Sequence, residues 1–175
     1  MPSFSAMGVD IAFLDVGSCD VVVLSHGCAS NKEVNLVETG WVRHLLRAGY
    51  RVIAVDHRGH GNSQKFYKEA DYSLDIIATD LANTLRELGI KEAHFIGYSM
   101  GARTVLRVCS LFPDLVRRAS LGGAGDAVLK DRSSCDIDAL SVEIAGSQTL
   151  HLDGKDHMSA VGAQEWKQEL VEFFG

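Results

Sequence analysis

Apolar residues along this chain fall into two kinds of pattern. Short runs with little polar interruption recur at "DVVVLS" (Asp20–Ser25), "RVIAVD" (Arg51–Asp56), "AHFIG" (Ala93–Gly97) and "RRASLGG" (Arg117–Gly123). Such runs predict strands buried on both faces. "VDIAFLDV" alternates instead and predicts a half-buried edge strand, while "QTLHLD" (Gln148–Asp153) is a weaker strand pattern.

Between these runs the apolar period lengthens to that of a helix. "WVRHLLRAGY" predicts a helix stopped by Gly49. "SLDIIATDLANTLRELG" places Leu74, Ile77, Ala78, Leu81, Leu85 and Leu88 on one stripe, with Ser73 as N-cap and Gly89 as the stop. "MGARTVLRVCSLF" runs to Pro113, and "AQEWKQELVEFF" puts Trp166, Leu170 and Phe173 on one face. Strand–helix alternation of this kind predicts one α/β domain over residues 1–175, with a mostly parallel sheet covered by helices on both faces. Ligands of such sheets bind beyond the carboxyl ends of the strands.

The residues just beyond each strand therefore matter most. After "AHFI" comes Gly97-Tyr98-Ser99-Met100-Gly101, a G-x-S-x-G run between a strand and a helix. The glycines leave room for a tight turn that lifts the Ser99 hydroxyl out of the sheet, and the helix N-terminus favours negative charge there. Ser99 is thus the candidate nucleophile. After "VVVLS" comes His26-Gly27-Cys28, where the N–H of Cys28 can join that of Met100 in an oxyanion hole. His157, in "LHLDGKDHMSAV", comes after the last strand pattern and lies downstream of the serine, which suits a general base. His26 and His60 are expected to support nearby loops, and His44, His94 and His151 to be structural, as are Asp56 and Asp80.

With these residues in view, the sequence resembles the α/β-hydrolase superfamily, in its lipase/esterase-like branch. "VVVLSHGCASN", "LLRAGYRVIAVDHRGHGNS", "YSLDIIATDLANTLRELGI", "AHFIGYSMGAR" and "LHLDGKDHMSAV" carry the likeness. It implies an acyl-enzyme mechanism with Ser99 as nucleophile, His157 as base and a carboxylate orienting the base. Members of the superfamily are longer, with a lid after the sixth strand and a seventh strand ending in the acid. Here the stretch between the sixth-strand and last-strand patterns is short, so no lid is expected, and the seventh strand is expected to be missing or reduced to "AVLK". Two candidates for the acid stay open: Asp131, in "VLKDRSSCDIDAL", and Asp126, in "GGAGDA". Asp136, Asp138 and Asp153 read as surface residues or caps, and Asp156 as pointing away from the neighbouring imidazole. A gap in the sheet predicts pairing with a second copy, and a lidless site predicts small soluble short-chain esters as substrates.

Composition narrows the alternatives. Lys and Arg number 17 against 23 Asp and Glu, a net charge of −6 with no basic run, so neither nucleic acid nor an anionic membrane is an expected partner. The start lacks the pattern of a secretory leader, and no apolar run approaches the roughly 20 residues of a membrane span. Cys19, Cys28, Cys109 and Cys135 are widely spaced and read as buried free thiols in a reducing cytoplasm. No cofactor is expected, because "LGGAGDA" does not meet G-x-G-x-x-G. No metal is expected either, because the alternation of faces along a strand gives the set His151, Asp153, Asp156 and His157 a poor geometry for one. Dehalogenase and epoxide-hydrolase chemistries need a carboxylate where Ser99 stands. Thioesters, lactones and carbon–carbon bonds beside a ketone remain alternative substrates, and a non-catalytic relic acting as a binding module is the alternative of a different class.

Overall fold

The computed structural model of the chain describes residues 3–6, 8–123, 156–157 and 159–175. Six strands make one sheet in the order β1-β2-β4-β3-β5-β6. They are β1 (Ser3–Ala6), β2 (Val9–Val16), β3 (Val21–Ser25), β4 (Arg51–Val55), β5 (Ala93–Tyr98) and β6 (Val116–Gly122). β4, β3, β5 and β6 run parallel, while β1 and β2 form an antiparallel flank. The helices are α1 (Trp41–Arg47), α2 (Leu74–Glu87), α3 (Met100–Leu111) and α4 (Gln164–Phe174). Among the described residues no helix is long and apolar enough to cross a membrane.

Val9–Val16 is not the edge that its alternation predicts, because β1 pairs along it with Ser3 opposite Ala12 and Ala6 opposite Val9. Four residues, "SFSA", are too few to show a period of two, so the sequence pattern hides this strand.

The period of two sorts the core onto two faces. Val23, Ile53, Val55 and Phe95 pack with Ala78, Leu81 and Leu85 of α2 and with Val105 and Val108 of α3. Their chain neighbours Val22, Leu24, Val52, Ala54 and Ile96 pack on the opposite side with Trp41 and Leu45 of α1 and with Trp166, Leu170 and Phe174 of α4. Trp166 and Leu170 of α4 are buried as their spacing predicts, but the third buried aromatic or aliphatic position is Phe174, and Phe173 only packs against the cluster's margin. Each fully buried leucine contributes about 2 kcal/mol relative to exposure. Ser73 caps α2 by accepting from the Ile76 N–H. Gly49 and Gly89 close α1 and α2 with left-handed φ of 91° and 70°.

The order of strands locates the crevice. From β3 the chain moves to β4 on one side, then crosses to β5 on the other. The loops leaving β3 and β5 therefore diverge at a topological switch point, where α/β sheets bind ligands.

Candidate functional site

Ser99 stands at the end of β5 and heads α3. Its φ of 55° and ψ of −114° lie outside the regions open to ordinary L-residues, a strain of about 1–3 kcal/mol. Close approach of backbone to backbone holds it there. A Cβ on Gly97 would lie 2.7 Å from Ala102 Cα, and one on Gly101 would lie 2.5 Å from the Ser25 carbonyl carbon. The glycines flanking the serine thus let α3 sit directly against β3 and β5. Ser99 is half-buried, and its hydroxyl bonds to no described residue.

The loop after β3 lies beside it. A Cβ on Gly27 would be 3.4 Å from Ser99 Cβ, which places this loop within reach of whatever the serine binds. The Gly27 N–H donates to Asn35 Oδ1 at 2.9 Å. The N–H groups of Cys28 and Met100 find no acceptor among the described residues. Cys28 and Cys19 are exposed, not buried as their spacing suggested, because both sit on turns at strand ends and not on apolar faces. Cys109 is partly buried, and burial pushes its thiol up to about 11, so it remains protonated at neutral pH.

Two buried devices fix that loop. Lys32 is fully buried and donates from Nζ to Asp56 Oδ2 at 2.7 Å, while its own N–H donates to Asp56 Oδ1 at 2.8 Å. Asn62 N–H adds a third bond to the same carboxylate at 2.9 Å. Burial alone would raise the Asp56 carboxyl, but the bonds from Lys32 and Asn62 outweigh it and hold it below the usual range. On the other side, Arg58 grips Asp80 through Nε and Nη2 at 2.5 and 2.8 Å.

The second device is a group of three imidazoles. His26 lies 4.7 Å from His57 and 5.2 Å from His60, centroid to centroid. His26 Nε2 accepts the His57 N–H at 3.1 Å, so its ring proton is on Nδ1 and is given to Gly27 O at 2.8 Å. The neutral ring is what fits, and burial lowers His26 to about 4. Burial also lowers His57 well below the ordinary histidine value, and its Nε2 lies 2.7 Å from Ser25 Oγ. This Ser25–His57 contact is the hydrogen-bonded serine–histidine pair among the described residues. It lies beneath the loop and does not involve Ser99.

A neutral buried histidine ties stability to pH. Between pH 6.5 and about 4 the unfolded chain takes up a proton that folded His26 refuses, so stability falls as pH falls through that window. His26 alone should remove about 2–3 kcal/mol between pH 7 and pH 4.5. Urea unfolding at the two pH values measures it. Equal midpoints would show that the histidine group does not titrate in this way.

His157 is exposed, in the turn before Ala160–Gly162. Its ring is 5.2 Å from that of Tyr98, the residue preceding Ser99, and its carbonyl accepts the Tyr98 hydroxyl. No bond joins Ser99 to the His157 ring among the described residues. Asp156 faces its own turn, accepting the Ser159 N–H at 2.7 Å. Asp131 and Asp126 lie outside the described residues, as do Cys135, His151, Asp136, Asp138, Asp153, "AVLK" and "QTLHLD". His44 contacts the Lys167 carbonyl at 2.9 Å, and His94 stacks on Phe174 far from the crevice. No cluster suited to a metal ion occurs among the described residues. Sequence reasoning missed Lys32, Asn35 and His57. A lysine or asparagine in a polar loop breaks no pattern, and "DHRGH" signals the loop without assigning its histidines.

The sequence matches the family described as alpha/beta hydrolase fold over residues 20–135. A bifunctional epoxide hydrolase 2 of Sus scrofa is 33% identical over 113 residues, which are 63% of this chain and 19% of that protein. A 2-(acetamidomethylene)succinate hydrolase of Mesorhizobium japonicum is 38% identical over 101 residues, 58% of this chain and 34% of the relative. The chain thus spans about a third or less of these curated relatives. Among solved structures, an esterase from Exiguobacterium antarcticum superposes with a TM-score of 0.62 at 28% identity, covering 70% of this chain and 45% of the esterase.

Proposed function

Taking as premise that this chain belongs to the α/β-hydrolase family, we propose that it is a serine hydrolase cleaving small, short-chain carboxylic esters through an acyl-enzyme. The observation that carries the reading is Ser99, held in a strained positive-φ conformation at the head of α3 with its hydroxyl free of the described residues. Ser99 Oγ attacks the ester carbonyl as His157 takes its proton. The N–H groups of Cys28 and Met100 receive the developing oxyanion, and each such donor is typically worth about 10²–10³ in rate. His157 then protonates the departing alcohol, and water, activated by the same ring, releases the acid. A carboxylate, Asp131 or Asp126, orients the imidazole. An aspartate at the elbow would favour the chemistry of the epoxide-hydrolase relatives; a serine there favours acyl transfer.

The test is hydrolysis of p-nitrophenyl esters from acetate to octanoate. The expected result is a rate that falls with chain length. A rate no faster than that given by an inert protein would bring forward the non-catalytic binding module. A rate that rises with acyl length would replace the short-chain reading by one for lipid-like esters.

A further inference from the structure

Resting on the serine-hydrolase reading, we propose that Tyr98 is a positioning residue whose hydroxyl sets the backbone of His157 against the Ser99 turn. Tyr98 is the last residue of β5 and is 4% exposed. Its hydroxyl donates to the His157 carbonyl, and its ring lies against the imidazole at 39°. The peptide bond to Ser99 and the hydrogen bond to His157 therefore meet in one residue. Nucleophile and base are held by the same rigid strand end.

The surroundings are arranged to admit that ring. Gly123 has φ +63°, and a Cβ there would lie 2.7 Å from Tyr98 Cζ. The Trp166 ring closes the far side at 5.9 Å. The turn beyond His157 is anchored separately: Trp41 Nε1 donates to Val161 O at 2.6 Å, and the buried Lys167 donates to Gly162 O at 3.0 Å and to Thr39 O at 2.6 Å. Those bonds place the turn, while the Tyr98 hydroxyl is the one side-chain bond among the described residues that reaches His157 itself. A phenylalanine would fill the same space, so the hydroxyl adds only this contact. Burial pushes the phenol above its ordinary value, which keeps it a donor at neutral pH.

The experiment compares wild type with Tyr98→Phe by two readouts. Hydrolysis of p-nitrophenyl acetate is measured alongside Ser99→Ala, and the histidine ring signals are followed by NMR on ¹³C-histidine-labelled protein, with His157→Gln identifying the His157 signal. The expected result is a kcat about 5- to 20-fold lower with KM within about twofold, and a His157 signal that shifts or broadens while the other six hold. Unchanged kcat overturns the proposal, whatever the spectrum shows. If wild type and Ser99→Ala hydrolyse the ester equally, the serine-hydrolase reading has failed instead. The spectrum then decides alone: an unmoved His157 signal overturns the positioning role, and a moved one upholds it.

Discussion

Ser99→Ala is expected to lower kcat/KM for p-nitrophenyl acetate by about 10³-fold or more, to the level of an inert protein, while the fold stays intact. The two halves of that expectation have separate causes. The hydroxyl bonds to no described residue, so removing it strips no contact from the core, and the unfolding free energy read from urea melts should change by about 0.5 kcal/mol or less. The alanine keeps the strained backbone, because the tight packing of Gly97 and Gly101 imposes it and the side chain does not. Loss of rate without loss of stability would then report chemistry alone. Retained activity would point to another nucleophile. The exposed Cys28 thiol on the neighbouring loop is the first to test, by Cys28→Ala.

Lys32→Met should cost about 3–5 kcal/mol of stability. Methionine fills nearly the same volume, so the loss is electrostatic. It leaves the Asp56 carboxylate, 1% exposed, with two N–H donors and no cation. Burial, which the wild type overcomes, would then raise the carboxyl and make it take up a proton as pH falls. The deficit relative to wild type should therefore shrink on acidification, and Lys32→Met/Asp56→Asn should be more stable than the single variant at pH 7. Activity should fall too, because Lys32 fastens the loop that carries Cys28. Urea unfolding at pH 7 and pH 5 measures the stability terms. A deficit that does not change with pH would mean that lost packing, not the stranded carboxylate, is responsible.

Much of this architecture can be read from local pattern. "VVVLS", "RVIAV" and "AHFIGY" became the central parallel strands because each is apolar on both faces, and Ser73 and Gly89 bound α2 by chemistry that acts within a few residues. The turn at Ser99 was legible for the same reason: its requirements are two glycines and the strand and helix that flank them. Other features depend on contacts distant in sequence. Lys32 meets Asp56 across 24 residues, Trp41 meets Val161 across 120, and Tyr98 meets His157 across 59. No periodicity encodes such meetings. Cys28 shows the opposite limit: a residue type usually buried stands exposed because its position is set by the loop and not by its hydropathy.

The identity of the nucleophile is tested most directly by intact mass and peptide mapping after reaction with an alkyl fluorophosphonate. The expected result is one phosphonyl group per chain, on the peptide bearing Ser99, absent from Ser99→Ala and formed far more slowly in His157→Ala. No adduct, or an adduct on another residue, would contradict the assignment of Ser99 as the nucleophile.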